Sequence, residues 1–176
     1  ARIRNSGALD EALLPFAVAA VRECFEESGI LLACDDTGAA VSAERAAALE
    51  PWRRPLDRGE ATMAAFLESE NLVLTLDGFA PLAHWVTPPI SPKRYDTRFF
   101  IAEAPADQEH AHDGREAVDS LWISAAQALA EGADGRRFLM PPTRRSLELV
   151  DEEPSIDAVL DATRRRGIST ERWGPR

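Results

Sequence analysis

Three glutamates at helical spacing are the residues whose types and positions best suit chemistry. Glu23, Glu26 and Glu27 stand at i, i+3 and i+4, so in a helix each like-charge pair costs roughly 0.2–0.5 kcal/mol. Gly29 is suited to the left-handed position just past a helix end, where the helix dipole is negative and unpaired carboxylates are unfavourable. The pattern therefore favours a bound cation; the alternative is an ordinary solvated helix surface, which is what three acids on one helix face usually form. Hard carboxylate oxygens select Mg²⁺ or Mn²⁺.

The helix that must carry these acids has an apolar stripe on its other side. Its residues recur at helical spacing and are expected to pack inward: Ala17, Val18, Val21, Cys24 and Phe25. Because Cys24 falls on this stripe, we expect it to be a small buried thiol. One face of the helix would then be core, and the acids would face a cleft.

The stretch from Arg22 to Ile30 resembles the second half of the Nudix box, Arg-Glu-U-x-Glu-Glu-x-Gly-U, where U is an apolar residue. Nudix hydrolases split a diphosphate that links a nucleoside to another group, using divalent metal ions and an activated water. The resemblance implies that Glu23 and Glu27 are the principal ligands of Mg²⁺ or Mn²⁺, and that Glu26 binds directly or through water. Arg22 would orient these acids, because a guanidinium can brace a carboxylate bidentately.

The first half of the box does not fit this chain. The family pattern has a glutamate and, six residues earlier, a glycine at positions held here by Leu14 and Ala8. Three further stretches resemble the Nudix branch with long internal insertions that includes the mammalian peroxisomal coenzyme A diphosphatases: His84 to Pro88, Arg94 to Phe100 and Leu139 to Thr143. In that branch the glycine-rich part of the box lies farther upstream. The resemblance thus implies that the chain begins inside the domain, after the first strands.

Many Nudix enzymes supply an additional carboxylate from a loop that faces the box helix. Glu116 is the candidate here, since it lies six residues before Trp122 and just ahead of a predicted strand. Either Glu23 or Glu116 would orient or deprotonate the attacking water. Asp119 and Glu103 are the alternative candidates. If Glu116 has no catalytic role, it is an exposed acid of a surface loop.

A second polar group lies on a predicted strand over residues 95–102. Arg94, Asp96 and Arg98 alternate onto one face of that strand. Arg94 and Arg98 are candidate substrate-binding residues, because guanidinium groups suit an acidic substrate. The alternative is a cross-strand salt bridge that serves structure alone.

The alternation of helical and strand patterns predicts an α/β fold. The resemblance implies a Nudix-type α/β/α sandwich with a mixed sheet, formed as a single domain over residues 1–176 with a helical insertion at about 35–80. That insertion could form a lid, a substrate-side wall or a homodimer contact. The patterns predict helices over residues 42–50, 60–70, 124–132, 141–150 and 155–166, and strands over 82–86, 95–102 and 117–123.

Composition excludes several classes of protein. A formal net charge of −10 argues against nucleic acid as a partner, because phosphate backbones need a basic surface. No apolar run approaches the ~20 residues of a transmembrane helix, so we expect no membrane insertion. Two cysteines among 176 residues are too few for a disulfide framework. These features suit a cytoplasmic protein.

The motifs and the resemblance together predict a metal-dependent Nudix hydrolase that cleaves a diphosphate bond in a nucleoside diphosphate derivative. The resemblance alone implies coenzyme A or acyl-CoA as the substrate. ADP-ribose and nucleotide sugars are the alternative substrates. The rival hypothesis is a catalytically weak Nudix-fold module that binds a nucleotide or a protein. It draws on the unmatched first half of the box and on the long insertion.

Overall fold

The structure of the chain is a computed structural model that describes residues 2–4, 9–112, 114, 119–167 and 170–172. It divides into two compact units that interleave along the sequence. The first, called here the box unit, comprises Ala1–Phe79 and Glu103–Ser120. The second, the hairpin unit, comprises Ala80–Ala102 and Leu121–Arg176. The single domain over residues 1–176 stays a prediction.

The box unit contains the acidic helix and a small mixed sheet. Its helices are α1 Leu14–Ser28, α2 Ala43–Ala48, α3 Arg53–Asp57 and α4 Met63–Ser69, with short 3-10 helices at Glu11–Leu13 and Glu50–Trp52. Its strands are β1 Ile3–Arg4, β2 Ala33–Cys34 and β3 Val73–Thr75. Strand β3 lies in the middle, parallel to β1 and antiparallel to β2.

Local capping rules account for where these helices start and stop. Ser42 Oγ accepts the amide of Arg45 at the start of α2, and Thr62 Oγ1 accepts the amide of Ala65 at the start of α4. Such a cap satisfies an amide that has no partner within the helix. Helix α1 ends at Gly29, whose φ of 76° is left-handed and whose amide donates to a carbonyl one turn back. The sequence predicted this stop from the glycine alone.

The inserted helices build the core beneath α1. Phe25 of α1 and Phe66 of α4 are both fully buried, and their rings stack with centroids 5.5 Å apart. Trp52, just before α3, tilts against Phe66 at 5.3 Å. Aromatic contacts of this kind add to the stabilisation from buried area. Residues 50–69 therefore support the acidic helix directly.

The inserted segment ends in a strand that the sequence did not predict. Helices occupy residues 43–69 of the expected 35–80, whereas Val73–Thr75 form the middle strand of the sheet. The reason is the short apolar run around β3, in which Leu72, Leu74 and Leu76 are all buried. A run of this length does not distinguish a buried strand from a helix by its periodicity.

The hairpin unit pairs three strands with three helices. Its strands are β4 Ala80–Val86, β5 Asp96–Ile101 and β6 Thr170–Arg172, and its helices are α5 Ala125–Ala133, α6 Pro141–Asp151 and α7 Ile156–Arg166. Strand β4 is central, antiparallel to β5 and parallel to β6. The predicted strand over residues 117–123 does not form in its described part, 119–123; residues 117 and 118 lie outside the described residues. Trp122 is instead 69% exposed.

The helices of both units are short. Helix α1 has 15 residues, and α6 and α7 have 11 each. Within the described part of the chain, no helix combines the length and the apolar character needed to cross a bilayer.

Candidate active site

Helix α1 has one strictly buried stripe. Ala17, Val21 and Phe25 have no exposed surface, which confirms the inward face that their spacing predicted. Val18 and Cys24 are only half-buried, so the prediction of a buried Cys24 thiol is wrong. The Cys24 Sγ lies at the edge of the stripe, 3.5 Å from Ser28 Oγ. Burial still raises the pKa of this thiol; the Ser28 hydrogen bond lowers it, and the Glu27 charge raises it.

Arg22 joins two of the three acids. Its Nη1 lies 2.7 Å from Glu26 Oε1 and 2.5 Å from Oε2, and its Nη2 donates to Glu23 Oε1 at 3.1 Å. The Glu26 side chain is only 8% exposed, whereas that of Glu23 is 59% exposed. Burial raises the pKa of Glu26 above its ordinary value even though Arg22 acts to lower it. The guanidinium thus links a buried carboxylate to an open one.

The three acids of the box therefore have different environments. Glu23 and Glu27 are exposed, one helical turn apart. Glu26 is buried, contrary to the expectation that all three acids face a cleft. The cause is α3, which packs against this side of α1 and extends the covered surface to Glu26. To bind a metal directly, Glu26 would have to exchange its contact with Arg22, so its role as a ligand stays a prediction.

The donor chemistry of Glu23 and Glu27 fits Mg²⁺ or Mn²⁺. Among the described residues, no three His, Cys, Asp or Glu side chains gather as a ready-made metal cage. Mg²⁺ does not need one, because it keeps several waters and is commonly held by one or two carboxylates together with substrate phosphates. Two open carboxylates at i and i+4 meet that requirement.

Arg53 is a residue of this site that the sequence did not single out. It is 8% exposed. Its Nε donates to the carbonyl of Glu26 at 3.0 Å, and its Nη2 donates to the carbonyl of Ala111 at 2.9 Å. The amide of Ala111 in turn donates to the carbonyl of Ser28 at 2.8 Å. In the sequence Arg53 is one of two adjacent arginines in a helical segment, and nothing distinguishes it there from Arg54.

Gln108 holds the backbone that leads to Ala111. Its side chain is buried, accepts the amide of Leu31 at 2.9 Å, and donates to the carbonyls of Leu31 at 3.2 Å and Val41 at 2.8 Å. A buried amide with this many partners locks its backbone in place. Residues 108–112, called here the anchored segment, are therefore held beside the end of α1.

The predicted loop acid follows the anchored segment in the sequence. Glu116 lies outside the described residues, so its role stays a prediction. The two alternatives, Glu103 and Asp119, belong to the box unit and are exposed.

The predicted substrate-binding arginines lie in the hairpin unit. Arg94 is exposed, and its Nε donates to the carbonyl of Thr87 at 3.1 Å. Arg98 Nη1 donates to Asp96 Oδ1 at 3.0 Å, and His84 Nε2 lies 2.5 Å from the same oxygen. The His84 hydrogen bond, with Arg98 nearby, lowers the pKa of Asp96. Arg98 and Asp96 lie on the same strand, so this pair differs from the cross-strand salt bridge of the structural alternative. The substrate-binding roles of Arg94 and Arg98 stay predictions.

Comparison with known proteins identifies the family. The NUDT19 Nudix domain model matches residues 4–149. The chain belongs to this Nudix family. The match includes both the acidic helix and the helices at residues 43–69, and it confirms the resemblance and the α/β Nudix fold inferred from the motifs.

Relatives of this Nudix domain include three acyl-coenzyme A diphosphatases named NUDT19. The Xenopus laevis protein is 25% identical over 93% of this chain and 48% of its own length, and the Gallus gallus protein is 28% identical over 91% and 47%. The Homo sapiens protein is 29% identical over 78% of this chain and 39% of its own length. The chain thus spans about half the length of the first two relatives.

A solved structure has the same fold. The crystal structure of a NUDIX hydrolase from Alicyclobacillus acidocaldarius superposes with a TM-score of 0.75 at 26% identity. The superposition covers 90% of this chain and 71% of that one. The Nudix fold therefore extends over nearly all of the chain.

Proposed function

We propose that this Nudix domain hydrolyses the diphosphate bond of a nucleoside diphosphate derivative, with coenzyme A or acyl-CoA as substrate. The observation that carries the proposal is the pair of exposed carboxylates, Glu23 and Glu27, on a box helix whose remaining acid is braced by Arg22. The substrate class rests on the relatives in frog, chicken and human, which are named acyl-coenzyme A diphosphatases.

The proposed chemistry divides among the acids of the box unit. Glu23 and Glu27 would hold Mg²⁺ or Mn²⁺, which supplies charge neutralisation at the phosphate oxygens and a lowered pKa for the attacking water. Glu116 or Glu23 would accept one proton of that water. The water oxygen bonds to one phosphorus, and the bond from that phosphorus to the bridging oxygen breaks. With coenzyme A the products are 3′-phosphoadenosine 5′-phosphate and 4′-phosphopantetheine.

A substrate panel tests this proposal in the whole protein. Coenzyme A, an acyl-CoA, ADP-ribose and a nucleotide sugar are each incubated with Mg²⁺ or Mn²⁺, and the phosphorylated products are separated and identified. We expect metal-dependent turnover with coenzyme A or acyl-CoA preferred by kcat/KM. Equal turnover of ADP-ribose would overturn the substrate class. Tight binding of nucleotides without turnover would favour the binding-module hypothesis.

Arg94 offers a sharper test of substrate recognition. If its guanidinium meets a substrate phosphate, Arg94→Ala should cost about 1.5–3 kcal/mol in kcat/KM, the usual range for a hydrogen bond to a charged group. Because Arg94 is exposed in the structure, its loss should barely change the melting temperature. Steady-state kinetics with coenzyme A measure the effect. An unchanged kcat/KM would remove Arg94 from the substrate site.

A further inference from the structure

The last turn of α1 leaves carbonyl groups that need partners from elsewhere. The final four carbonyls of any α-helix lack an amide from within the helix. Here the amide of Gly29 donates a hydrogen bond to the carbonyl of Phe25, and the amide of Ala111 donates to that of Ser28. The Arg53 guanidinium donates to the carbonyl of Glu26. The negative end of the helix dipole lies at the same place, so a buried cation is favourable there.

The Arg53 side chain contacts both the C-terminal end of α1 and the anchored segment. Its guanidinium reaches α1 through Nε and the anchored segment through Nη2, at 3.0 and 2.9 Å. The planar fork fixes the angle between these two bonds, whereas a lysine would present a single ammonium on a flexible stem. Arg53 therefore sets the spacing between the box helix and residues 108–112.

Arg53 contacts Glu26, an acid of the Nudix box. Glu26 is held twice, with its carboxylate against Arg22 and its carbonyl against Arg53. The exposed acids Glu23 and Glu27 lie three residues before and one residue after it in the sequence. The anchored segment, in turn, precedes Glu116 by only four residues in the sequence. A shift of about 1 Å in such a frame can cost on the order of a hundredfold in rate.

We propose that Arg53 is a positioning residue for the diphosphatase reaction, which fixes the anchored segment against the C-terminal end of the box helix. This inference rests on the proposed function. It assigns to the inserted helices a part in catalysis as well as in the core, because α3 supplies the guanidinium.

Two substitutions and a matched control test the inference in the whole protein. Arg53→Met removes the fork and keeps an apolar stem, Arg53→Lys keeps the charge, and Arg54→Met makes the same charge change at the exposed neighbouring position. We expect Arg53→Met to lower kcat roughly tenfold to a hundredfold with KM within about twofold. The kcat of Arg53→Lys should lie between those of the parent and Arg53→Met, and the kcat of Arg54→Met should equal that of the parent.

Amide hydrogen exchange provides a readout that does not depend on turnover. The Ala111 amide donates to the carbonyl of Ser28. Its hydrogen should therefore exchange with solvent faster in Arg53→Met than in the parent, and at the parent's rate in Arg54→Met. If the parent turns over no diphosphate, the proposed function fails, and the exchange of Ala111 alone then decides whether Arg53 fixes the segment. Unchanged exchange, an unchanged kcat, or equal losses in Arg53→Met and Arg54→Met would each overturn the inference. If Arg53→Met does not fold, Arg53→Lys carries the same tests.

Discussion

Two arginine–carboxylate clusters in this chain use the same chemistry in opposite surroundings. The box cluster comprises Arg22, Glu23 and Glu26, and the strand cluster comprises His84, Asp96 and Arg98. The Glu26 side chain is 8% exposed and its pKa is raised by burial. The Asp96 side chain is 59% exposed and its pKa is lowered, first by His84 and then by Arg98.

The difference shows that burial, more than the presence of an arginine, determines the behaviour of each carboxyl. In the interior, the cost of removing a carboxylate from water can exceed the gain from a neighbouring cation. At the surface, solvent stabilises the charge and the ion pair adds little to stability. The Glu26 carboxyl is therefore held in the interior, while the Asp96 carboxylate faces solvent.

The largest effect should come from the two exposed acids of the box helix, Glu23 and Glu27. Glu23→Gln and Glu27→Gln should each lower kcat/KM for coenzyme A by at least about a hundredfold, because a metal contributes several kcal/mol of charge stabilisation in the transition state. Asp96→Asn is the matched control in the strand cluster, and its kcat/KM should fall much less. Steady-state kinetics at saturating Mg²⁺ measure all three. A loss in Asp96→Asn as large as in Glu27→Gln would break the distinction between the clusters.

A smaller effect should come from breaking the box cluster itself. Arg22→Met leaves the Glu26 carboxylate buried without its main donor and should destabilise the fold by about 1–3 kcal/mol at neutral pH. Denaturant unfolding measures this loss. Arg22→Met combined with Glu26→Gln should recover part of it, because the unpaired charge is gone. A double variant less stable than Arg22→Met would contradict this explanation.

The sign of the pH dependence follows from the raised pKa of Glu26. A carboxyl that binds its proton more tightly in the folded state stabilises the protein below its unfolded pKa. That contribution is lost as the pH rises through the folded pKa. Without Arg22 the pKa of Glu26 should rise further, so the deficit of Arg22→Met should grow from pH 5 to pH 8. A deficit that shrinks over this range would contradict the burial of Glu26.

The smallest effect should come from the strand cluster. Since the pKa of Asp96 is lowered, its stabilising contribution is present above the unfolded pKa and lost as the pH falls through the folded pKa. Asp96→Asn should therefore reduce stability slightly at neutral pH and leave it unchanged in strong acid. Thermal unfolding across this range measures the difference. A loss exceeding that of Arg22→Met would reverse the comparison.

Local rules made much of the box helix predictable. The spacing of Ala17, Val21 and Phe25 identified the buried stripe, and Gly29 identified the end of α1. Ser124 and Ser155 likewise cap α5 and α7 at their predicted starts. These features depend on residues within a turn or two of each other, so the sequence alone contains the information.

The parts that could not be predicted depend on contacts distant in sequence. Arg53 meets Ala111 across 58 positions, and Gln108 meets Leu31 across 77. The burial of Glu26 follows from the packing of α3 against α1, and no periodicity within α1 distinguishes it from Glu23 or Glu27. Strand β3 pairs with β1 at Ile3–Arg4 and with β2 at Ala33–Cys34, both distant from it in sequence. Such features are fixed by tertiary packing, which overrides local preference.

Divalent-metal binding tests the central claim, that the open acids of the box helix hold the metal for diphosphate hydrolysis. Mn²⁺ is titrated into the parent protein, Glu23→Gln, Glu27→Gln and Glu68→Gln, and binding is followed directly and by melting temperature. Glu68 is an exposed acid of α4 and controls for the loss of one negative charge. Stabilisation should grow as RT ln(1 + [Mn²⁺]/Kd) in the parent and in Glu68→Gln, and it should weaken strongly in the two box variants. Equal Mn²⁺ affinity in all four proteins would contradict the account.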